Sequence, residues 1–311
     1  MPYKYLIAID GGGTKTKGTL FTWEGEVVQT AVTSFSNFSV HEDLSKEHIE
    51  QLIGILRKSV PQNEQVFVQM GIAGASKLKR EDSWLTSIQE RFNVGAHLEN
   101  DAVIALYSVD HTLDETVLLT ISGTGSVHLK KVGQTIELFG GYGHLFGDPG
   151  SSYHLGLSII ERLLKAAEIT EPQTDFDEHM IRFIGRKERP ELIRFAYDSE
   201  KNTLAQLSKE VARLALLGDQ DAITCLKKEG ELLAIDVIRA AKTIPKGTPY
   251  VLAFRGGFIQ NAPYVKDRLM EMLKDALSDY RFESTTNDPI IGAYRLGLIN
   301  ANKEVDYDRY Q

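Results

Sequence analysis

A strand–turn–strand pattern that occurs twice is the feature of this sequence that most limits the folds open to it. Residues Leu6–Thr14 can be laid over Leu118–Ser126 at an offset of 112 residues, counted from Leu6 to Leu118. Each copy has an apolar strand, a polar residue, a glycine-rich turn with a hydroxyl group, and a second strand. Solenoid repeats have shorter periods of roughly 20 to 50 residues. The pattern therefore predicts two related domains, each built around the same turn.

Apolar periodicity in the first third of the chain predicts alternating strands and helices, with two strands joined by a hairpin at the start. The predicted strands are Tyr3–Ile9, Thr16–Thr22, Glu26–Val32, Gln65–Met70 and Ala96–Glu99. The predicted helices are Asp43–Val60, Glu81–Phe92 and Ala102–Ser108. This order is typical of an α/β fold in which helices flank a mixed sheet.

The second part of the chain repeats the strands and then becomes mostly helical. Strands are predicted at Thr116–Ser122, Ser126–Lys131, Thr135–Phe139 and Val251–Phe254, and helices at Asn261–Ala276 and Pro289–Asn300. Between them lie a glycine-rich loop, Gly140–Gly150, and a helical stretch, Ser151–Thr243. At roughly 150 residues per domain, we expect domains over 1–110 and 111–311, where the last helix can pack back on the first domain.

Net charge and cysteine content exclude several function classes. The chain has 35 Lys and Arg against 43 Asp and Glu, a formal net charge of −8, so nucleic acid is an unfavourable partner. Cys225 is the only cysteine, which excludes an internal disulfide and a four-thiolate metal site. No segment has the roughly 18 consecutive apolar residues of a membrane span, and the run Tyr5–Ile9 lacks a signal-peptide pattern. We expect a cytoplasmic protein with no membrane or nucleic-acid partner.

The two glycine-rich turns have the composition of phosphate-binding turns. Glycine lacks the Cβ that would hold a ligand away from the backbone, and successive N–H groups in such a turn attract anions. Two such turns would suit a polyphosphate held between two domains. The first turn also has Asp10 at a strand end, where a carboxylate can hold Mg²⁺ through water, whereas the second has Ser122 at the equivalent place. The alternative is that each turn is only a tight hairpin.

Other nucleotide motifs do not fit. The sequence contains no G-x-x-x-x-G-K-[ST] pattern, which excludes a P-loop. The segment Thr16–Phe21 after the first turn alternates like a strand, whereas a dinucleotide-binding fingerprint would open a helix there.

Three motifs in order give the sequence a family resemblance. They are Asp10–Thr16, Ser122–Ser126 and Gly140–Asp148, and Gly256-Gly257 follows a late strand. Together they resemble the N-acetylglucosamine kinase branch of the BadF/BadG-type ATPases, within the acetate-and-sugar-kinase, heat-shock-ATPase and actin superfamily. The resemblance covers nearly the whole chain. It implies an α/β fold of two ribonuclease-H-like (actin-like ATPase) domains with ATP and a sugar in the cleft between them.

The resemblance also implies which residues bind the nucleotide. ATP phosphates would lie against the two turns, with Thr14 and Thr124 as donors, and a glycine pair would let the backbone approach adenosine. The implied ATP-binding set is Asp10, Gly11, Gly12, Gly13, Thr14, Lys15, Gly123, Thr124, Gly125, Gly256 and Gly257. Mg²⁺ would be held by Asp10.

A sugar kinase needs a carboxylate that accepts the proton of the attacking hydroxyl. Asp101 follows a predicted strand and begins a predicted helix, and the family places its catalytic base at such a strand end. The alternative is that Asp101 only caps the helix, since Asp is favoured there.

Further sugar-binding residues follow from the resemblance. They are Asn37, Asp101, Ser126, Gly141, Tyr142, Gly143 and Asp148. The amide of Asn37 can donate to and accept from neighbouring hydroxyls, although Asn is also a common turn residue. Asp148 would be a second sugar carboxylate, or else it serves the electrostatics of the helix that follows it.

The resemblance implies an ATP-dependent kinase acting on the 6-hydroxyl of N-acetylglucosamine, and a homodimer is the family expectation. Glucosamine, N-acetylmuramic acid and glucose are alternative substrates. A partner-driving ATPase is an alternative of another class, but those related to this family need more cysteines than the one present. A sugar-sensing binding protein is a third alternative.

Overall fold

A computed structural model describes residues 3–78, 83–168, 174–285 and 287–308, with side chains described through residue 302. The chain divides into two compact units. The first unit contains Met1–Asp110 and Thr285–Gln311, and the second contains His111–Ser284. The last helix is therefore part of the first unit, although 174 residues of the second unit separate it from the rest.

The first unit is built on a five-stranded mixed sheet with the strand order β3-β2-β1-β4-β5. Its strands are β1 (Tyr3–Gly11), β2 (Thr16–Thr22), β3 (Val27–Thr33), β4 (Gln65–Ile72) and β5 (Gly95–Asn100). The first three pair antiparallel, while β4 and β5 run parallel to β1. The centre of β1 is apolar at every position and buried, because helices cover both faces of the sheet there.

Helices of the first unit pack on both faces of this sheet. They are α1 (Glu42–Arg57), α2 (Trp84–Phe92), α3 (Asp101–Tyr107) and α11 (Pro289–Asp308). Two glycines bring α11 close to its neighbours. A Cβ at Gly292 would overlap the carbonyl oxygen of Ile104 on α3, and one at Gly297 would lie 2.7 Å from Leu6 Cδ1 on β1. The final helix thus completes the apolar packing over β1.

The second unit repeats the same sheet. Its strand order is β8-β7-β6-β9-β10, with β6 (Thr116–Ser122), β7 (Ser126–Val132), β8 (Thr135–Gly140), β9 (Tyr250–Arg255) and β10 (Tyr280–Glu283). Again three strands pair antiparallel and two join in parallel. The two copies of the sequence pattern therefore form β1–β2 and β6–β7, at the same place in two equivalent sheets.

The second unit has more helices than the first among the described residues. They are α4 (Ser152–Glu168), α5 (Asp175–Ile184), α6 (Arg189–Asp198), α7 (Lys201–Leu216), α8 (Gln220–Ala241), α9 (Gly257–Asn261) and α10 (Val265–Ala276). A large apolar core joins α4, α7, α8 and α10 to the sheet through residues such as Leu155, Val211 and Leu233, all fully buried.

The predictions of the first and last helices differ from the structure in their bounds, since α1 ends at Arg57 rather than Val60 and α11 continues to Asp308. The prediction of one helix over Asn261–Ala276 was wrong, because α9 ends at Asn261 and α10 begins at Val265. Ala262 is extended, as expected before Pro263, whose ring disfavours a helical conformation at the preceding residue. The predicted start of another helix at Glu81 lies outside the described residues.

Candidate active site

The first glycine-rich turn connects β1 to β2 in a four-residue loop. Gly11 pairs with Thr16 across the hairpin, and the loop closes through a 3.2 Å hydrogen bond from the Gly12 N–H to the Lys15 carbonyl. Gly13, Thr14 and Lys15 at its tip are exposed, and a Cβ at Gly13 would meet nothing within 4 Å. The tip therefore offers backbone donors and the Thr14 hydroxyl to a ligand.

Two other segments, residues 34–36 and Ala73, form hydrogen bonds to the base of this turn. The Ser36 N–H donates to the Gly12 carbonyl at 2.9 Å, and the Ala73 N–H donates to the Gly11 carbonyl at 2.9 Å. Thr16, at the start of β2, donates its hydroxyl to the Ser34 carbonyl at 2.6 Å. These bonds leave the base of the turn fixed while its tip stays open.

Asp10 lies at the end of β1 in a setting that disfavours its charge. Burial, together with the nearby carboxylates of Asp101 and Asp288, raises the pKa of Asp10 to about 6, against the lowering effect of Lys17 and Lys15. A carboxylate in this setting gains from a bound cation, because the cation offsets both burial and repulsion. Its oxygen donor is also of the type that Mg²⁺ prefers.

Asp101 is the first residue of α3 rather than its capping residue. The cap is Asn100, whose side-chain oxygen accepts from the Ala102 N–H at 2.9 Å. Asp101 Oδ1 also accepts from this N–H, at 3.0 Å. Burial raises the pKa of Asp101, against the lowering effect of backbone hydrogen bonds. The capping alternative is thus wrong for Asp101, and a half-buried carboxylate with a raised pKa is suited to accept a proton.

Sequence reasoning missed Asp288, whose carboxylate lies near that of Asp10 together with the carboxylate of Asp101. It precedes α11 and accepts from the Ile290 N–H at 3.0 Å, as a helix cap does. Lys17 on β2 donates to its other oxygen at 2.5 Å. Burial opposes the charge of Asp288, but these hydrogen bonds, chiefly the one from Lys17, lower its pKa. The signal present in the sequence was an Asp-Pro pair before the last helix.

Asn37 forms a turn, which is one of the two roles that the sequence allowed for it. Its side-chain oxygen accepts from the Ser39 N–H at 2.8 Å, and its backbone forms an isolated bridge with Ala73 after β4. The turn uses only the oxygen of the amide, so the NH₂ group can still donate to a ligand. A role in the turn and a role in sugar binding are therefore compatible.

The second glycine-rich turn connects β6 to β7 and is one residue shorter. Ser122 pairs with Ser126, and the Gly123 N–H donates to the Gly125 carbonyl at 2.9 Å. The Ser152 N–H, at the start of α4, donates to the Gly123 carbonyl at 3.0 Å. Thr124 is exposed at the tip, which leaves its hydroxyl available as a donor.

The loop before α4 is attached to this turn by side chains from the strands. Ser122 donates its hydroxyl to the Gly150 carbonyl at 2.6 Å, and Ser126 donates to the Pro149 carbonyl at 2.8 Å. The buried Glu229 on α8 accepts from the Gly150 N–H at 3.0 Å. Ser126, a predicted sugar ligand, thus donates its proton within the protein and has acceptor capacity left.

Asp148 lies in this loop and is held in an unusual conformation. Its φ of 44° is positive, and its side chain is 4% exposed. Asp148 Oδ2 accepts from Lys201 Nζ, at the start of α7, at 2.7 Å. Sequence reasoning missed Lys201, because it lies 53 residues from Asp148 and belongs to no local motif.

Three of the five nucleotide-binding predictions in the second unit, but neither Gly125 nor Gly256, line one cavity. This cavity, called the turn cavity below, has a volume of about 400 Å³, and Gly123, Thr124 and Gly257 are in its lining. Gly256 packs against the turn itself. Its φ is 102°, and a Cβ there would overlap the Ser122 carbonyl oxygen, so this position requires glycine. Gln206 and Lys209, on α7, also line this cavity, and no motif indicated them.

Sugar-binding predictions in the second unit come together in another cavity. This loop cavity has a volume of about 160 Å³, and its lining includes Ser126, Gly141, Tyr142 and Asp148. Gly143 is not in its lining, and a Cβ there would meet nothing within 4 Å. Tyr142 is 70% exposed, so its ring is accessible to a ligand.

Asp236 and Arg239, on α8, also line the loop cavity and were missed. Their side chains form an ion pair at 3.0 Å. Burial raises the pKa of Asp236, and Arg239 opposes this. Asp236 lies beside Leu233 and Val237 on a buried helix stripe. In the sequence, a carboxylate within an apolar helical stripe was the signal that could have indicated Asp236 as a site residue.

Two negative findings apply to the described part of the chain. No helix there is long and apolar enough to cross a membrane. Within the same residues, no three His, Cys, Asp or Glu side chains are grouped as a metal site.

Comparison with known proteins gives consistent results for sequence and fold. The model of the BadF/BadG/BcrA/BcrD ATPase family matches residues 7–297. An N-acetyl-D-glucosamine kinase of Dictyostelium discoideum is 30% identical over 318 residues, covering 96% of this chain and 99% of the relative. An N-acetylmuramic acid/N-acetylglucosamine kinase of Clostridium acetobutylicum is 28% identical, covering 97% of this chain and 100% of the relative.

Among solved structures, a candidate N-acetylglucosamine kinase from Chromobacterium violaceum superposes with a TM-score of 0.72. It is 20% identical in sequence, with 96% of this chain and 100% of that chain covered. At this identity the likeness concerns the fold. The predicted α/β class with two related actin-like domains is therefore confirmed.

Proposed function

Since this chain belongs to the BadF/BadG/BcrA/BcrD ATPase family, as its motifs predicted, we propose that it is an ATP-dependent amino-sugar kinase. It transfers the γ-phosphate to the 6-hydroxyl of N-acetylglucosamine. The observation that carries this proposal is the loop cavity, which gathers four predicted sugar ligands, Ser126, Gly141, Tyr142 and Asp148. The name of the Dictyostelium relative, which matches nearly the full chain, supports the choice of sugar.

In this proposal Asp101 is the catalytic base. Its carboxylate accepts the proton of the 6-hydroxyl as the hydroxyl oxygen bonds to the γ-phosphorus. The bond from that phosphorus to the bridging oxygen breaks, and ADP leaves. Burial raises the pKa of Asp101, which increases its proton affinity, and its place at the start of α3 fixes its direction. Asn37 would donate its amide N–H to a sugar hydroxyl.

The glycine-rich turns would bind the phosphates. In the first turn the donors are the backbone of Gly11, Gly12 and Gly13, the Thr14 hydroxyl and Lys15. In the second they are Gly123, Thr124 and Gly125, and Gly256-Gly257 would lie against adenosine. The support is the open tip of each turn and the presence of Gly123, Thr124 and Gly257 in one cavity.

Asp10 would hold Mg²⁺, with water completing the coordination. When bound, the ion would neutralise phosphate charge and favour the leaving of ADP. The raised pKa of Asp10 and its two acidic neighbours support this assignment, because a cation there relieves repulsion. A homodimer and a cytoplasmic location are also part of the proposal, and light scattering of the purified protein tests the former.

The deciding experiment is a coupled ADP-release assay with Mg-ATP on a small panel of sugars. It includes N-acetylglucosamine, glucosamine, N-acetylmuramic acid, N-acetylmannosamine, glucose and no sugar. Turnover with N-acetylglucosamine far above the no-sugar rate is expected. Preference for N-acetylmuramic acid, which the name of the Clostridium relative includes, would change the substrate but not the class. Sugar-independent ADP release would favour a partner-driving ATPase and contradict the proposal.

Replacement of the base tests the mechanism. Asp101→Asn removes the proton acceptor, so we expect kcat to fall about 10²- to 10⁴-fold while ATP affinity is unchanged. Asp43→Asn, an exposed carboxylate in the first turn of α1, is the matched control and should keep full activity. Full activity of Asp101→Asn would exclude it as the base.

A further inference from the structure

We propose that Lys201 is a phosphate-contacting residue, whose ammonium group binds the polyphosphate of ATP at the second glycine-rich turn while Asp148 holds it there. This inference rests on the ATP binding that the proposed function requires. Lys201 is the first residue of α7 and belongs to none of the motifs that indicated the site.

The position of the ammonium relative to the turn is the first observation. A Cβ built on Gly125 would lie 2.8 Å from Lys201 Nζ and 2.6 Å from Asp148 Oδ2. The ammonium group therefore occupies the space directly beside the turn backbone, where any residue other than glycine would displace it. Gly125 is needed here for the approach of this ion pair as well as for the approach of a ligand.

The unequal burial of the two partners is the second observation. The Asp148 side chain is 4% exposed, whereas that of Lys201 is 31% exposed. Lys201 also lies over the ring of Tyr153, with Nζ 5.7 Å from the ring centroid. An ammonium group has three donors, and Asp148 takes one of them at 2.7 Å. The carboxylate is covered by protein, and the cation keeps a face toward solvent with donors to spare.

Charge gives the physical reason for this arrangement. A carboxylate so close to a turn that receives phosphates would repel them, by an amount that grows as burial lowers the effective dielectric constant. Lys201 cancels the charge of Asp148 and adds a donor for the phosphate. Only Oδ2 of Asp148 is engaged by Lys201, and Asp148 lines the loop cavity. One carboxylate can thus hold the phosphate-binding lysine through Oδ2 and receive a sugar hydroxyl through Oδ1.

Nucleotide binding without sugar tests this proposal. Lys201→Met should weaken binding of the non-hydrolysable analogue AMP-PNP about 10- to 100-fold, the effect of one lost charge-assisted hydrogen bond. Binding of AMP, which lacks the β- and γ-phosphates, should change less than about twofold. Lys165→Met, on exposed α4 surface in the same unit, is the matched control and should leave both affinities unchanged. Isothermal calorimetry measures all of them.

A double variant separates a direct contact from simple charge cancellation. Lys201→Met alone leaves Asp148 buried and unpaired, which can destabilise the fold. Lys201→Met combined with Asp148→Asn removes both charges, and its AMP-PNP affinity should stay at least about tenfold below that of the parent. Restored affinity in the double variant, or an equal loss for AMP and AMP-PNP in the single variant, would overturn the proposal.

These outcomes are independent of phosphate transfer. If the chain binds AMP-PNP in a manner that depends on Lys201 but phosphorylates no amino sugar, the proposed function fails and this inference stands. If the sugar is phosphorylated and Lys201→Met keeps parental AMP-PNP affinity, the opposite holds.

Discussion

The two glycine-rich turns occupy the same place in two equivalent sheets, but they gather opposite charges. In the first unit the turn follows Asp10, and the carboxylates of Asp101 and Asp288 are near enough to raise its pKa. In the second unit Ser122 stands at the equivalent place and donates its hydroxyl inward to the Gly150 carbonyl, while Lys201 lies against the turn. In the proposed function both turns bind phosphates, and the residue at the strand end, Asp10 in one and Ser122 in the other, decides which of them would also hold Mg²⁺.

The glycines at the two strand ends also differ in what a side chain there would meet. A Cβ at Gly11, beside the first turn, would lie 2.6 Å from Ile72 Cδ1, the end of a side chain. A Cβ at Gly256, beside the second turn, would overlap the Ser122 carbonyl, which belongs to a paired strand. Side-chain ends can move by rotation, whereas a paired strand cannot. Gly256 should therefore tolerate substitution less well than Gly11.

Asp10→Ser gives the first turn the strand-end residue of the second and should have the largest effect. Loss of the carboxylate removes the proposed Mg²⁺ ligand, so kcat should fall about 10²- to 10³-fold, the size of one lost electrostatic contact in a transition state. Steady-state kinetics over a range of Mg²⁺ concentrations measures this effect.

The thermal stability of the same variant provides the control. Because burial and two like charges disfavour the ionised Asp10, its removal should leave the midpoint of unfolding unchanged or raise it. Unchanged kcat with saturating Mg²⁺ would show that the two turns do not differ in the way argued above.

Gly256→Ala tests the second difference, that of backbone against side-chain surroundings. Its positive φ and the overlap with the Ser122 carbonyl should together lower the free energy of unfolding by roughly 2–4 kcal/mol. Gly11→Ala, against the movable end of Ile72, should cost only about 1 kcal/mol. Denaturant unfolding of both variants measures the two values.

Gly133→Ala is the matched control for backbone strain without crowding. Gly133 also has a positive φ, of 57°, but a Cβ there would meet nothing within 4 Å. It should cost about 1 kcal/mol. If Gly256→Ala and Gly133→Ala lower the free energy of unfolding equally, the close packing of Gly256 against Ser122 does not add to the cost of the substitution.

The ion pair of His154 and Glu229, which lies beside the loop at the second turn, should make the free energy of unfolding depend on pH. This is the smallest of the expected effects. The hydrogen bond to Glu229 is the main cause that raises the pKa of His154; burial opposes it, and Glu229, Glu161 and Asp148 add their charges. A raised folded pKa means that the stabilisation is complete below about pH 6.5, the unfolded value, and is lost as pH rises through the folded pKa.

His154→Gln should therefore lower the free energy of unfolding by about 1 kcal/mol near pH 5.5 and by much less near pH 9. Thermal or denaturant unfolding at both pH values measures the difference. An equal loss at the two pH values would mean that the His154 charge does not support the loop.

Local backbone patterns were enough to predict most of the fold and part of the site. The repeat predicted β1–β2 and β6–β7 because strand alternation and glycine turns depend on a few adjacent residues. Gly123, Thr124 and Gly257 share a cavity for the same reason, since each follows a strand end of one sheet. The break at Pro263 was readable from local sterics and was overlooked.

The residues that escaped prediction are those whose partners are distant in sequence. Lys201 meets Asp148 only because α7 packs beside the loop before α4, and Asp288 meets Lys17 across 271 residues. Side-chain direction and helix packing decide such contacts, and a single sequence does not encode them in any short motif. The sequence also could not show that Asn100 rather than Asp101 caps α3, because either residue type suits the cap position.

The close fit of α11 against β1 and α3 has a consequence for biosynthesis. Gly292 and Gly297 let this helix cover Ile104 and Leu6, yet it is made after every strand of both sheets. Until it leaves the ribosome, the nascent first unit presents an uncovered apolar surface while the whole second unit is translated. We expect this interval to be the period in which the chain depends most on chaperones and is most prone to aggregation.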